Sequence, residues 1–342
     1  MSARNGAKEG TVRVGVLGLG RIAAHMGETL RKMSDDPRYH TLVEPYACAT
    51  HDDADRAADW AETYGFTRSY GSYEELLDDP EVDLVYIATP NVFHKDQAID
   101  AMEHGKNVLV EKPFAINIAQ AEEMIETSRD NRVLCAEAMW TRYMPSRTML
   151  TDMLASGRIG RIVQMHADLS YPLTHKKRMT DPTLGGGILL DCGVYAMNFG
   201  GMIFPNATVT RMLSNVVMSP EGVDQTFQAA AVLDNGVLTS SSASMLCASP
   251  RLGIIQGTEG YAIVQNINNP EAIDVYDANH RLIDHLVPPE QLTGYEYEVA
   301  SAAQAILDGR IECPEMPHTQ SLHMLGALDD LRADWSMRYP CE

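Results

Sequence analysis

Val12-Arg13-Val14-Gly15-Val16-Leu17-Gly18-Leu19-Gly20-Arg21-Ile22-Ala23 is the stretch that decides the fold. Val12, Val14, Val16 and Leu17 read as a short buried strand. The next six residues, Gly18 to Ala23, have the spacing G-x-G-x-x-A. Gly18 permits a tight turn. Gly20, lacking a side chain, lets a pyrophosphate sit close to the backbone. Ala23 is small enough for the following helix to lie against the strand. That helix, expected over Arg21 to Lys32, points unpaired N–H groups and a positive dipole end at the phosphate. Gly18, Gly20, Arg21, Ile22 and Ala23 are therefore expected to hold a dinucleotide. A βα turn without a ligand is the other reading, and the strand before and helix after the glycines weigh against it.

Length and composition set the outer bounds. A chain of 342 residues, 45% of them hydrophobic, suggests about two globular domains. The formal charge of −20 makes a surface that repels nucleic acid and anionic lipid, so neither is expected as a partner. None of the six cysteines forms C-x-x-C or sits at metal-ligand spacing with histidine, so no metal site is expected. Free thiols fit a reducing cytoplasm. The opening MSARNGAKEG is polar, which predicts no signal peptide, and no apolar run is long enough to span a membrane.

The pattern of the first part is strand, helix, strand, helix. A second strand is expected near Pro45 to Ala49, and its tip carries Thr50, His51, Asp52 and Asp53. In a dinucleotide fold this tip meets the adenosine ribose, where an acid suits the 2′-hydroxyl of NAD and a base suits the 2′-phosphate of NADP. Asp52 and Asp53 lean the reading to NAD, while His51 leaves NADP open, and a helix N-cap explains either aspartate equally well. Ser72 to Glu75 is a capping box. Leu84 to Ala88 reads as a central parallel strand ending in Thr89-Pro90-Asn91, and Val108 to Val110 as the next, ending in Glu111-Lys112-Pro113. Residues 11–136 are thus expected to form a doubly wound parallel sheet, with ligands at the carboxyl ends of its strands.

After about Glu137 strands follow one another without helices between them, so residues 137–342 are expected to carry a mostly antiparallel sheet. Asn235-Gly236 predicts a two-residue hairpin turn. Helical patterns at 295–308 and 320–338 close the chain and are free to pack back on the first domain.

Two clusters carry chemistry. Lys112 ends an apolar strand at the ligand edge, where an ammonium can hold a substrate hydroxyl and lower its pKa; a Glu–Lys pair that merely caps the strand is the plainer explanation. The run Gly185-Gly186-Gly187 lets backbone approach a ligand or a neighbouring element. The helix beyond it places Asp191 and Tyr195 four residues apart, on one face of an α-helix. Tyrosine, with a pKa near 10, needs a nearby cation to act as a base at neutral pH. Tyr195 is either that base or a core aromatic with a satisfied hydroxyl. His94, in the first turn of the helix after Thr89-Pro90-Asn91, either meets the cofactor or substrate or has no role.

Taken in order, Gly18-x-Gly20-x-x-Ala23, Thr89-Pro90-Asn91-x-x-His94, Glu111-Lys112-Pro113, and Gly186-Gly187 with Asp191-x-x-x-Tyr195 resemble the Gfo/Idh/MocA oxidoreductases. Glu137 to Pro145 and Gly294 to Glu298 look most like the branch of dimeric dihydrodiol dehydrogenases and D-xylose 1-dehydrogenases. The resemblance implies a C-terminal α/β domain whose open sheet supports a dimer or tetramer. It implies that Lys112 binds the reacting hydroxyl, that Tyr195 transfers the proton, and that Asp191 is its partner. Trp140 and Arg142 would border nicotinamide and substrate, Arg178 would lie near the substrate mouth, and Glu111 and His94 would sit beside the cofactor. His51-Asp52 replaces the Ser-Arg common in that branch, so its preference for NADP does not carry over. The implied activity is oxidation of a sugar, cyclic polyol or dihydrodiol hydroxyl with NAD or NADP. A non-catalytic NAD(P) and sugar sensor of the same fold is the alternative.

Overall fold

The computed structural model describes residues 10–342. Residues 1–9, on which the expectation of no signal peptide rests, lie outside the described residues. The chain divides into two compact units: one runs to Tyr143 and includes Gln291–Leu322, and the other holds Met144–Glu290 and His323–Glu342.

The first unit alternates β1 (Val12–Leu17), α1 (Arg21–Asp35), β2 (Val43–Ala49), α2 (Ala54–Tyr64), β3 (Arg68–Tyr70), α3 (Tyr73–Asp78), β4 (Leu84–Ile87), α4 (His94–Glu103), β5 (Asn107–Glu111), α5 (Ile118–Asn131) and β6 (Cys135–Ala138). The six strands lie in the order β3-β2-β1-β4-β5-β6. Every pairing is parallel. Both faces of the central strands are covered, which is why β4 and β5 are almost wholly apolar and buried. Ser72 and Glu75 form the expected capping box, each side chain bonding the other's backbone N–H. Gly65 ends α2 in the left-handed region, at φ 76°. β3 is not anticipated by the sequence. It is a three-residue edge strand, Arg68-Ser69-Tyr70, with no buried position, so hydrophobic alternation gives no sign of it.

In the second unit come α6 (Pro145–Ala155), β7 (Ile162–Asp168), α7 (Lys177–Thr180), a π-helical turn over Leu189–Gly193, and α8 (Val194–Ile203). The strands β8 (Val209–Met218), β9 (Asp224–Leu233), β10 (Leu238–Ser244), β11 (Gly253–Gly257), β12 (Gly260–Gln265), β13 (Ala272–Asp277) and β14 (Leu282–Leu286) follow. Its eight strands are ordered β14-β13-β12-β11-β7-β10-β9-β8. All neighbours run antiparallel except β7 and β10. One face of the sheet is covered by α8, and the Ser241 hydroxyl donates to Ala196 O of that helix. The β9–β10 connection corrects the expected two-residue turn. Gly236 alone has positive φ, at 82°, and Leu233 and Val237 bracket a three-residue loop through Gly236 N→Leu233 O and Leu233 N→Val237 O. This is a turn closed by a left-handed glycine rather than a type I′ pair, which would need Asn235 at positive φ as well.

The closing helices are α9 (Glu296–Leu307) and α10 (His318–Asp334), and the division between units falls within α10. Glu296 caps the entry to α9, its carboxylate accepting the backbone N–H groups of Leu292, Thr293 and Gly294. Among the described residues, no helix is long and apolar enough to cross a membrane.

Candidate active site

The two glycines of the β1–α1 turn are glycine for different reasons. Gly18 has φ 88°, and a Cβ there would lie 2.6 Å from Thr89 Cγ2. Both conformation and packing exclude a side chain. Gly20 has an ordinary φ of −84°, and a Cβ would meet only Ala88 O, at 4.0 Å. Among the described residues, nothing requires glycine at this position. Gly20 is also the N-cap of α1, without a side-chain cap, and the first turn carries no acidic residue. The N–H donors at the positive end of a fifteen-residue helix without a side-chain cap, beside a glycine that packing leaves unexplained, fit a pyrophosphate. Ala23 is fully buried, Ile22 half-buried, and Arg21 exposed at the helix head.

At the tip of β2 the two acids separate. Asp53 caps α2, its carboxylate accepting Arg56 N at 2.9 Å. Asp52 is exposed, as is His51, which meets the Tyr73 ring edge-on at 5.9 Å. Arg56 is a residue the sequence reading missed. Its Nη2 donates to Leu19 O at 2.6 Å, tying α2 to the glycine loop. The motif at the strand tip does not include Arg56, which reaches the loop from within the first turn of the following helix. The usable signal was a cation on that turn.

At the tips of β4 and β5, the Thr89 hydroxyl donates to Gln97, and Pro90 opens a 3-10 turn over Asn91–Phe93. His94 is buried, with Nδ1 2.9 Å from Pro113 O and Nε2 3.0 Å from Thr89 O. Both nitrogens face backbone carbonyls, so the ring ties the two strand tips together instead of presenting a free nitrogen to a cofactor or substrate. Burial lowers its pKa, and the nearby Lys112 charge acts the same way. Glu111 is buried; it accepts the Tyr86 hydroxyl on one oxygen and Lys112 N, at 3.1 Å, on the other. Lys112 follows, half-buried, joined to Pro113 by a cis peptide. Trp140, just beyond β6, stacks on Tyr295 with centroids 4.3 Å apart and planes 12° apart. On Tyr295, burial and then the charge of Glu111 raise the phenol pKa. Tyr295 is a second residue to which the sequence reading assigned no role. Arg142 is buried and donates to Gln320 Oε1 at 3.1 Å. Gly18, Asp52, Thr89, Glu111 and Lys112 thus share the carboxyl edge of one parallel sheet.

The remaining candidates lie in the second unit. Arg178 Nη2 donates to both carboxylate oxygens of Asp191 at 3.1 Å. Asp191 belongs to the π-helical turn and Tyr195 to the start of α8, so the α-helical spacing expected between them is interrupted. Here the glycines serve the protein's own packing. A Cβ on Gly186 would lie within 2.9 Å of three carbonyl oxygens, those of Asp181, Arg178 and Met179. A Cβ on Gly187, which has φ 115°, would lie 2.0 Å from Asp224 Oδ1. Asp224 holds this segment from below: its Oδ2 accepts Leu189 N at 2.7 Å and its backbone O accepts Ile188 N. No local pattern marks Asp224, because its partners lie far back in the chain.

A lysine at a sheet edge can hold and acidify a hydroxyl, and a phenol can relay its proton. Known proteins share this chain's fold and domain order. Residues 12–139 match the model of an oxidoreductase family with an NAD-binding Rossmann fold, and residues 148–263 match the GFO/IDH/MocA C-terminal domain. Trans-1,2-dihydrobenzene-1,2-diol dehydrogenase of Mus musculus is 29% identical over 337 residues, covering 96% of this chain and 98% of the mouse protein. The Homo sapiens enzyme of the same name is 28% identical, with the same coverage. The crystal structure of KijD10, a 3-ketoreductase from Actinomadura kijaniata in complex with NADP and TDP-benzene, superposes with a TM-score of 0.83. That match has 25% identity and covers 94% of this chain and 97% of the other. Levoglucosan dehydrogenase in complex with NADH shares the fold, with a TM-score of 0.82 at 19% identity over 95% of this chain and 97% of that one. With both of its domains matched, in the order in which its motifs run, this chain belongs to the Gfo/Idh/MocA family of oxidoreductases.

Proposed function

We propose that this oxidoreductase is an NAD(P)-dependent dehydrogenase acting on a hydroxyl of a sugar, cyclic polyol or dihydrodiol. The observation that carries the reading is Gly20, a glycine required by neither conformation nor packing, at an uncapped helix head on the same sheet edge as Lys112. The bound nicotinamide supplies the two-electron chemistry. The unit that runs to Tyr143 and includes Gln291–Leu322 serves as the dinucleotide domain, and the unit of Met144–Glu290 and His323–Glu342 as the substrate and oligomerisation domain. Gly18, Gly20, Arg21, Ile22 and Ala23 hold the pyrophosphate, while Thr89, Pro90, Asn91, Trp140 and Arg142 border the nicotinamide end. The Lys112 ammonium holds the reacting hydroxyl and lowers its pKa. Tyr195 takes the proton, and Asp191, paired with Arg178, is its partner. Structures of the related ketoreductase with a single lysine or a single tyrosine replaced support a lysine and a tyrosine as the residues to test. Between the two dinucleotides, exposed Asp52 favours NAD, and His51 and Arg56 act in the opposite sense. The six thiols suit a reducing, cytoplasmic setting.

The test is absorbance of the reduced nicotinamide across a panel of sugars, polyols and diols, alongside fluorescence titration with NADH and NADPH. Lys112→Ala and Tyr195→Phe should each lower kcat by about a hundredfold or more while dinucleotide affinity holds. The double variant should lose little more than either alone, because both residues serve one proton transfer. Full turnover in both single variants refutes these roles. Tight dinucleotide binding with no turnover across the panel points to a sensor.

A further inference from the structure

Two buried carboxyl groups in the first unit take no part in the proton transfer proposed above. Glu111 ends β5 with two donors, the Tyr86 hydroxyl and the Lys112 backbone N–H. Glu298, in the first turn of α9, is fully buried, and among the described residues neither of its carboxyl oxygens has a hydrogen-bond donor. α9 packs on β5, and the charge of Glu111 acts directly on Glu298. Glu298 is also faced by Tyr86 from β4, Tyr143 beyond β6, Tyr295 at the head of α9, and Cys313 between α9 and α10. Glu111 is faced as well by Glu137 of β6. The groups that face Glu298 are all neutral or, on ionising, negative.

Two adjacent carboxylates in such a setting do not both ionise. The donor inventory decides which one keeps the proton. Glu111 already accepts two hydrogen bonds, which favour its anion. Glu298 accepts none, and as a neutral acid it has an O–H that needs an acceptor. The Glu111 carboxylate ends the strand on which α9 packs and can serve as that acceptor. Burial and the charge of Glu111 both push Glu298 towards the protonated form.

We propose that Glu298 shares its proton with Glu111 and is thereby a positioning residue for Lys112. The line of hydrogen bonds runs from the Glu298 O–H to the Glu111 carboxylate, and that carboxylate holds the Lys112 N–H. With the proton present, one negative charge lies behind the lysine. Without it there are two, and Glu111 is pushed away from Glu298. The effect on turnover rests on the role given to Lys112 above; the shared proton does not.

Glu298→Gln supplies an uncharged side chain of the same shape with an N–H donor, and Glu298→Leu supplies neither charge nor donor. At about pH 7, infrared spectra of the parent should contain the carbonyl stretch of a protonated carboxylic acid that is missing from the Glu298→Gln spectrum. Identical spectra in that region overturn the shared proton. In turnover assays Glu298→Gln should stay within about threefold of the parent and lose less activity than the parent as pH rises. Glu298→Leu should lose about tenfold in kcat with dinucleotide affinity unchanged. Equal activity and equal pH profiles in all three overturn the positioning role. If the infrared difference is found but Lys112→Ala retains full turnover, the shared proton stands and the role of Lys112 falls.

Discussion

Asp224 shows how far a single side chain can be shifted by its surroundings. It is fully buried, and burial raises its carboxyl from 3.8 to about 7 against the opposing pull of the Leu189 and Ile188 amides. A folded-state pKa above the unfolded one means that the folded protein holds this proton more tightly. The resulting stabilisation is complete below about pH 4 and is lost as pH rises towards about 7. Asp224→Asn keeps an acceptor for Leu189 N and cannot titrate. Thermal melts between about pH 5 and pH 8 should therefore fall less steeply in the variant, by on the order of a few kcal/mol across the range. Parallel curves would show that Asp224 does not titrate there. This aspartate was invisible in the sequence, as was Arg56, because each acts on a segment distant from it in the chain. Lys112 was visible because it closes an apolar strand, a position where a chance charge is costly.

At the level of elements, the glycines make a sharper case than their spacing did. Gly20 and Gly187 look alike in sequence, yet only Gly187 is demanded by the protein's own packing. Gly20→Ala should leave the melting temperature within a few degrees and weaken NADH or NADPH binding about tenfold, or about 1.4 kcal/mol, by fluorescence titration. Gly187→Ala should lower the melting temperature severely, because its Cβ would lie 2.0 Å from Asp224 Oδ1. Unchanged dinucleotide affinity in Gly20→Ala would remove the main support for a pyrophosphate at that turn. The long periodic elements were legible, including β1, β4, α9 and the mostly antiparallel character of the second sheet. Three local features were not. β3 has no buried position, the π-helical turn carries Asp191 out of α-helical register, and the hairpin loop has one residue more than Asn235-Gly236 implied. Each depends on neighbours that periodicity does not see.

For the whole molecule, the second sheet has one face covered by α8 and another with a different character. Strand register aligns Leu213, Ala230, Ser240, His166, Ile254, Ile263, Asp274 and His285 in a row across the latter face. Every residue in the row except Asp274 is exposed or half-exposed. We propose that this face meets a second copy of the chain, as the sequence resemblance implied. Sedimentation should show a dimer or tetramer, and Ile254→Arg with Ile263→Arg should convert it to monomer. A monomeric parent would remove the proposal. The same sheet bears on how the chain is made. β7 is the first of its strands to be synthesised, yet it lies in the interior, between β10 and β11. Until β10 leaves the ribosome both edges of β7 are unpaired, and one stays so until β11 follows. Gln164, His166 and Asp168 alternate along it with more deeply buried neighbours, so the waiting ribbon is polar on one side, which discourages premature self-association during translation.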